Sequence, residues 1–377
     1  MSLVVAVAAH PIPSLASGTG RRLLGLLDAM VPELGPRESV VVFHQPTFRV
    51  PPDAPSANSP NIRWRTTALP GAPAWRRSLA ERRTLVEMLL ACSADVVDLG
   101  VLPVPPNLPC PAVVTVHDIR DLDGWSRRPL VPRALLRAVT ARSLQRAARV
   151  VVPSKFTAQR LAAHRLCRQE AVEIVRGGVS MPPPHRLAAT PATAEAPPRV
   201  LHVGHLEPRK RIDLLVRSLA QLSRNDVILE LVGTDHSRTA RALRRLADSL
   251  GVSDRVRFRG VQTDHEVQAQ YASAAVVAIP SAYEGFGLTA LEALAHGATT
   301  LIAKGSALEE VAAPAATLVD SSNVKDWVAA IESGIRSVTP ADTATPASRR
   351  QFAARFGWQE PARQLLEIWR AVSAQRS

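Results

Sequence analysis

Short apolar runs alternate with amphipathic stretches along the whole chain, and the alternation restarts once. In the first half the runs fall at Leu3–Val7, Val40–Phe43, Val96–Leu99, Ala112–Val116, Val150–Val152 and Val172–Val175. Each is short enough to be a buried strand. Helical patterns near Arg21–Met30, Arg76–Ala91, Arg133–Ala147 and Thr157–His164 separate most of them. Strands alternating with helices predict an α/β, doubly wound parallel sheet. The same rhythm returns with strands at Arg199–Val203, Val227–Val232, Val256–Phe258, Val276–Ile279, Thr300–Ile302 and Thr317–Val319, and a helix from about Asp213. Between the halves, residues 182–198 read PPPHRLAATPATAEAPP, with six prolines and five alanines. No packed element is expected there, so it reads as a linker. Two Rossmann-like domains follow, 1–181 and 199–357. The tail, FGWQEPARQLLEIWRAV, carries Leu365, Leu366, Ile368, Trp369 and Val372 at helical spacing, giving a final amphipathic helix within 358–377.

The length supports this division, because 377 residues exceed one ordinary core. No apolar run approaches the ~18 residues that span a membrane. The N-terminal LVVAVAA is short and has no Lys or Arg before it, which favours a first strand over a signal peptide. Cys92, Cys110 and Cys167 fit neither a disulfide framework nor a metal pattern, so a reducing cytoplasm is expected. The net charge of +13 is uneven: residues 1–180 carry 23 Lys+Arg against 13 Asp+Glu, and residues 181–377 carry 23 against 20. A basic first half suits an anionic partner such as an acidic membrane surface or a phosphorylated acceptor. Composition offers another source, since 42 of the 46 cations are Arg. The arginines are scattered and aromatics make up only 4% of the chain, which argues against nucleic acid.

The chemistry concentrates between Ile279 and Gly297, in IPSAYEGFGLTALEALAHG. A strand ends at Ile279, a loop carries Glu284-Gly285-Phe286-Gly287, and a helix runs from about Leu288 to Ala295. The glycines let backbone approach a ligand closely. The helix start near Leu288-Thr289 offers unpaired N–H groups and a partial positive charge to a phosphate. Glu284 precedes the helix and Glu292 lies inside it, so two acids flank an anion seat. A nucleotide-sugar has that layout, with a phosphate in the middle and hydroxyls at both ends. A second loop, GHLEPRKR, opens with Gly204 after a strand and places Arg209 and Lys210 before a helix, where two cations suit a diphosphate. In the first half, His117-Asp118 sit at the end of Val113–Val116, well placed for ligand contact in an α/β domain. Gly18-Thr19-Gly20 occupies the first strand-to-helix loop, as a ligand loop or a plain turn; Leu23 in the third glycine position makes it no dinucleotide fingerprint. Asp121-Leu122-Asp123 is formally a D-x-D and is read as solvated acids, not a metal site. Ser154 reads as a helix cap.

EGFGLTALE resembles the E-x7-E signature of retaining glycosyltransferases of family GT4, which have the GT-B fold of two Rossmann-like domains facing across a cleft. The resemblance is strong over 200–320, moderate over 112–180 and weak over the first hundred residues. It implies a donor domain at 199–357, an acceptor domain at 1–181, and a last helix that returns to the N-terminal domain. It implies that Arg209 and Lys210 hold the donor diphosphate, with Gly204, Gly285, Phe286, Gly287, Leu288 and Thr289 around the donor. Glu284 would position the sugar hydroxyls, Glu292 the ribose hydroxyls, and Val261 would lie near the base. His117 would line the sugar, and Gly18 and Gly20 would face donor phosphates or acceptor. No metal or cofactor is implied. The donor would be a UDP-, GDP- or dTDP-sugar, and the acceptor a lipid-linked glycan, a polysaccharide or a small metabolite, with peripheral contact to an anionic membrane if the acceptor is a lipid. Two departures stand out: Gly177 replaces an Asn common in relatives, and His205 stands where Arg or Thr is frequent. The alternative is a non-catalytic basic protein that binds anionic lipid or nucleic acid.

Overall fold

The computed structural model describes residues 2–15, 17–125, 132–183, 196–235, 238–336 and 345–375. The chain forms two compact units, Met1–Gly178 together with Gly357–Ser377, and Val179–Phe356. Each is built on its own parallel sheet.

The first unit contains β1 (Leu3–Ala8), β2 (Glu38–His44), β3 (Ile62–Thr66), β4 (Val96–Leu99), β5 (Ala112–Thr115), β6 (Arg149–Val152) and β7 (Val172–Ile174), in the order β3-β2-β1-β4-β5-β6-β7. All neighbours are parallel. Strand β3 has no counterpart among the sequence expectations. It is an edge strand with one fully buried residue, Ile62, so the apolar run that reveals inner strands is missing from IRWRT. The pattern near 76–91 is a continuous helical stretch, Ala74–Ala80 and Val86–Ala91, joined by a π turn at Glu81–Leu85. Alternate strand residues define two faces. Val97, Val114 and Val150 share a core with Leu85, Leu89, Leu144 and Leu161, so the 74–91, 133–144 and 155–163 helices cover one face. The Gly18–Met30 and Gln359–Ala374 helices pack on each other, and the latter touches β1 and β4 from the other face. The tail therefore belongs to the first unit. Trp369 Nε1 donates to Asp98 Oδ2 at 2.8 Å, and Arg370 pairs with Glu38 at 2.7 Å.

The second unit contains β8 (Arg199–Val203), β9 (Ile228–Val232), β10 (Val256–Gly260), β11 (Val276–Ile279), β12 (Thr300–Ala303) and β13 (Thr317–Val319), in the order β10-β9-β8-β11-β12-β13. These are again all parallel. The inner strands place apolar residues on both faces because both are covered: Val200, Leu229 and Ala278 look to one core, Leu201, Val232 and Ile279 to the other. Of the proline-rich stretch 182–198, residues 184–195 lie outside the described residues. The second unit begins before that stretch. Val179 N donates to Phe356 O at 2.7 Å, and Val179 is buried in the core that holds Phe286 and Ala353.

Candidate active site

In the second sheet the strand order reverses between β8 and β11. The loops that leave the carboxyl ends of these two neighbours open a crevice where α/β sheets bind ligands. The β8 loop starts at Gly204, whose φ of +148° and close approach to Gly233 require glycine: a Cβ on Gly233 would lie 2.0 Å from Gly204 O. It then makes a tight turn at Pro208–Lys210, and Arg211 takes a left-handed φ of 49° before the Ile212–Leu219 helix. That turn buries Arg209 and Lys210. The β11 loop is tied to it by Ala282 N, which donates to Arg209 O at 2.9 Å.

Glu284 comes off this second loop and meets both cations. Its Oε1 accepts from Lys210 Nζ, and its Oε2 accepts from Arg209 Nη1 at 3.2 Å. Arg209 also donates to Tyr283 O at 2.9 Å and pairs with Glu207 at 2.7 Å. Burial by itself would raise the Glu284 carboxyl, but the Lys210 and Arg209 charges overcome it and hold the pKa down at about 2. Burial lowers the Lys210 ammonium, opposed by Glu284. Beneath them lies His202, fully buried on β8. Its Nδ1 lies 3.0 Å from the Ala278 carbonyl and so donates to it, which leaves Nε2 as a lone pair with no partner. Burial pushes this imidazole down to about 4, so it is neutral at physiological pH.

The Leu288–Ala295 helix follows directly. Gly287 is its N-cap with φ of +111°, and no side chain caps it. A Cβ on Gly287 would come within 2.7 Å of Leu308 Cδ2. The amides of Leu288 and Thr289 thus begin a helix end that is open to an anion. Phe286 turns its ring into the core, so only its backbone can meet a ligand. Glu292, on the second turn, accepts from Tyr271 Oη at 3.1 Å. Val261 lies past the end of β10 and is 67% exposed. The structure thus brings together Gly204, Arg209, Lys210, Glu284 and the 285–289 backbone. Sequence reasoning missed His202, which RVLHV singles out as the one fully buried polar residue of a strand that is apolar after Arg199.

In the first unit, His117 follows β5 and its Nε2 donates to Gly100 O at 3.1 Å. Burial and the Arg22 charge push it down to about 3. It lines a cavity of about 30 Å³ with Thr19, Arg22, Asp98 and Thr115. Gly18 opens the first long helix. Gly20 serves packing: a Cβ there would lie 2.1 Å from Ser14 O, and its amide donates to the Ser17 cap at 3.0 Å. The Gly20 amide is therefore not offered to a ligand. Asp123 of the D-x-D pairs with Arg160 and with His164 at 2.8 Å, a buried structural carboxylate where a solvated one was expected. Ser154 caps its helix, accepting from Thr157 N at 3.1 Å. Among the described residues, no cluster of three or more His, Cys, Asp or Glu could hold a metal ion.

Two Rossmann-like units, each built on its own parallel sheet, are the architecture of the GT-B class of glycosyltransferases. Two family models match in tandem: Glycosyltransferase Family 4 over residues 17–181 and Glycosyl transferases group 1 over residues 187–348. The chain belongs to the GT4-type glycosyltransferases. It is 32% identical over 286 residues to a D-inositol 3-phosphate glycosyltransferase of Mycolicibacterium smegmatis, covering 71% of this chain and 64% of the relative. A protein of the same name from Rhodococcus opacus is 32% identical over 241 residues, covering 60% and 53%. The chain thus spans between about half and two thirds of the length of these curated relatives. The fold is shared with sucrose-phosphate synthase from Thermosynechococcus elongatus, at a TM-score of 0.77 and 22% identity over 99% of this chain and 100% of that one. It is shared also with Anabaena HepE, solved with UDP and glucose, at 0.72 and 20% over 98% and 99%.

Proposed function

We propose that this protein transfers a sugar, with retention of anomeric configuration, from a nucleoside-diphosphate sugar to an acceptor hydroxyl, without a bound metal. The observation that carries the reading is the convergence of Arg209, Lys210 and Glu284 beside the uncapped start of the Leu288–Ala295 helix. Departure of the nucleoside diphosphate leaves negative charge on its β-phosphate. Arg209, Lys210 and the Leu288 and Thr289 amides are the groups able to stabilise it. Glu284 orients the sugar hydroxyls, and Glu292, one turn further on, takes those of the ribose. The acceptor enters through the first unit, with His117 neutral there and able to hydrogen-bond but not to repel a cationic transition state. The leaving phosphate takes the acceptor's proton in a front-face reaction; a covalent adduct on Glu284 would establish double displacement in its place. UDP in the HepE structure makes a UDP-sugar the first donor to test, with GDP- and dTDP-sugars beside it. The name of the mycolicibacterial relative makes inositol phosphate a first acceptor, beside lipid-borne glycans.

The test is calorimetric titration with UDP, GDP and dTDP, followed by transfer assays with the sugars of whichever binds. One nucleotide should bind, and Lys210→Gln should lower turnover by roughly 100- to 1000-fold, the cost of one transition-state donor of about 2.7–4 kcal/mol. Product anomer analysis and transfer in the presence of a chelator check retention and metal independence. Failure of every nucleotide to bind would sink the reading.

A further inference from the structure

We infer that His202 is a positioning residue for Lys210. When a diphosphate draws the Lys210 ammonium away from Glu284, the Nε2 lone pair of His202 accepts one of its N–H groups and fixes its direction. The inference rests on the proposed function. It adds to that site a residue that acts through the lysine and touches neither sugar nor phosphate.

The strand itself shows that the imidazole is not there for packing. The other buried residues of β8, Val200, Leu201 and Val203, are apolar. A leucine or phenylalanine at 202 would leave no polar atom in the core. The imidazole leaves one. Its Nδ1 donates to Ala278 O at 3.0 Å, which fixes the tautomer and pins the ring to β11. Its Nε2 is buried and has no partner. An acceptor buried without a hydrogen bond costs free energy, and the strand carries that cost.

Gly204 shows where the lone pair is offered. A Cβ on Gly204 would stand 3.7 Å from His202 Nε2 and 3.7 Å from Lys210 Nζ. The two nitrogens therefore flank the same point beside the glycine. The ring is pinned, so the flexible four-carbon stem of the lysine is the part able to move. Burial first, and the Lys210 charge after it, push the imidazole down to about 4, so Nε2 is an acceptor at physiological pH.

Lys210 has need of that acceptor. Among the described residues, Glu284 is the one side chain that accepts from Nζ. Arg209 is held more fully, by Glu207 and Tyr283 O besides Glu284. An ammonium has three N–H groups to place, and a buried one left unmatched is costly. A second carboxylate would satisfy Lys210 but would compete with the phosphate for its charge. A neutral imidazole satisfies one N–H and leaves the charge to the ligand.

The test is calorimetry of His202→Asn and His202→Gln with the nucleoside diphosphate that the wild type binds. An Asn amide nitrogen can replace Nδ1 at Ala278 but offers nothing at Nε2, whereas a Gln oxygen can reach the Nε2 position. The Asn variant should bind about tenfold more weakly, and the Gln variant within about threefold of the wild type. In a Lys210→Gln background the Asn substitution should cost nothing further. Melting temperatures check that the variants are folded. Nitrogen NMR of the wild type needs no variant: the His202 Nε2 resonance should move toward that of a hydrogen-bonded acceptor when the nucleotide is added. An unmoved resonance overturns the inference, as does an Asn loss of equal size with and without Lys210. An Asn variant that binds like the wild type while the Gln variant does not would confine His202 to holding β8 on β11, and overturns it too. A wild type that binds no nucleotide sinks the donor-site reading itself, and the inference with it.

Discussion

Glu284 engages both of the cations to which the proposed function assigns the donor diphosphate. In the free protein it is the acceptor for Lys210 Nζ and shares Arg209, so the two cations that suit a diphosphate are already engaged by a carboxylate of the chain itself. An incoming diphosphate competes with that carboxylate for both. Because the paired cations hold its pKa at about 2, Glu284 is charged at any working pH and cannot relieve the competition by taking up a proton. Glu284→Gln should therefore bind a nucleoside diphosphate more tightly than the wild type, by about tenfold or 1.4 kcal/mol. The same variant should transfer sugar far more slowly, because an amide is a poorer acceptor for sugar hydroxyls. Calorimetry with the free nucleotide and initial rates with its sugar separate the two effects. Unchanged or weaker nucleotide binding would show that the carboxylate does not compete. His202 is the residue whose state only coordinates could give. A buried histidine in a strand is ordinarily a satisfied core residue, and its unpartnered Nε2 becomes visible only once β11 is placed beside β8.

The long helix Gly18–Met30 shows how an element's sequence can be read correctly while its constraints stay hidden. Its amphipathic pattern is legible, and so are most of the strands, because inner strands of a doubly covered sheet are largely apolar. The GHLEPRKR and EGFGLTALE loops were legible because their cations, acids and glycines fall between a strand and a helix. Gly25 was not, since a glycine inside a helix pattern looks like a defect. In the structure a Cβ on Gly25 would lie 2.4 Å from the Trp358 ring, and one on Gly178 would lie 2.6 Å from the same ring. Trp358 thus fills a slot that two glycines create. Edge strand β3 escaped for the opposite reason, having too little burial to show a pattern. Gly→Ala inside a helix ordinarily stabilises by about 0.5–1 kcal/mol. Gly25→Ala should instead destabilise the first unit by roughly 1–3 kcal/mol through overpacking. Combining it with Trp358→Leu should recover part of the loss, a coupling that chemical denaturation of the four proteins of the cycle would measure. A stabilised single variant would refute the slot.

The C-terminal helix is held to its sheet by a bond whose worth depends on pH. Burial raises Asp98 from its ordinary 3.8 to about 6, while the Trp369 hydrogen bond and the Arg22 charge work to lower it. The folded state therefore holds this proton more tightly than the unfolded chain. Asp98 costs nothing below 3.8, and its cost grows as pH rises to about 6 and then levels off. Since the Trp369 bond favours the charged carboxylate, Trp369→Phe should lower the melting temperature more above pH 6 than below pH 4, where Asp98 is protonated in both proteins. Equal losses at both pH values would leave only packing to explain the change.

At the scale of the whole molecule the two units differ in how the chain builds them. The second is one continuous segment, Val179–Phe356, whereas the first is completed only by Gly357–Ser377 after the second has been made. What the last segment supplies is central to the first unit: Trp358 between two glycines, Leu365, Leu366, Trp369 and Val372 in the core, and partners for Asp98 and Glu38. The second unit ends on its own brace. The Pro346–Ala353 helix packs along the Leu288–Ala295 helix, and Arg349 donates to Gly297 O at 3.3 Å, so the helix that follows Glu284 is secured before the chain leaves. Ending the chain after Phe356 should therefore remove amide protection from β1, β2 and β4 while β8, β9, β11 and β12 keep theirs in hydrogen exchange. The truncated protein should still bind the nucleotide that the full chain binds, since Arg209, Lys210 and Glu284 all lie in the continuous segment. Loss of protection in both sheets would mean that the second unit depends on the first for its fold. The donor site would then be a property of the assembled chain and not of the segment that carries its residues.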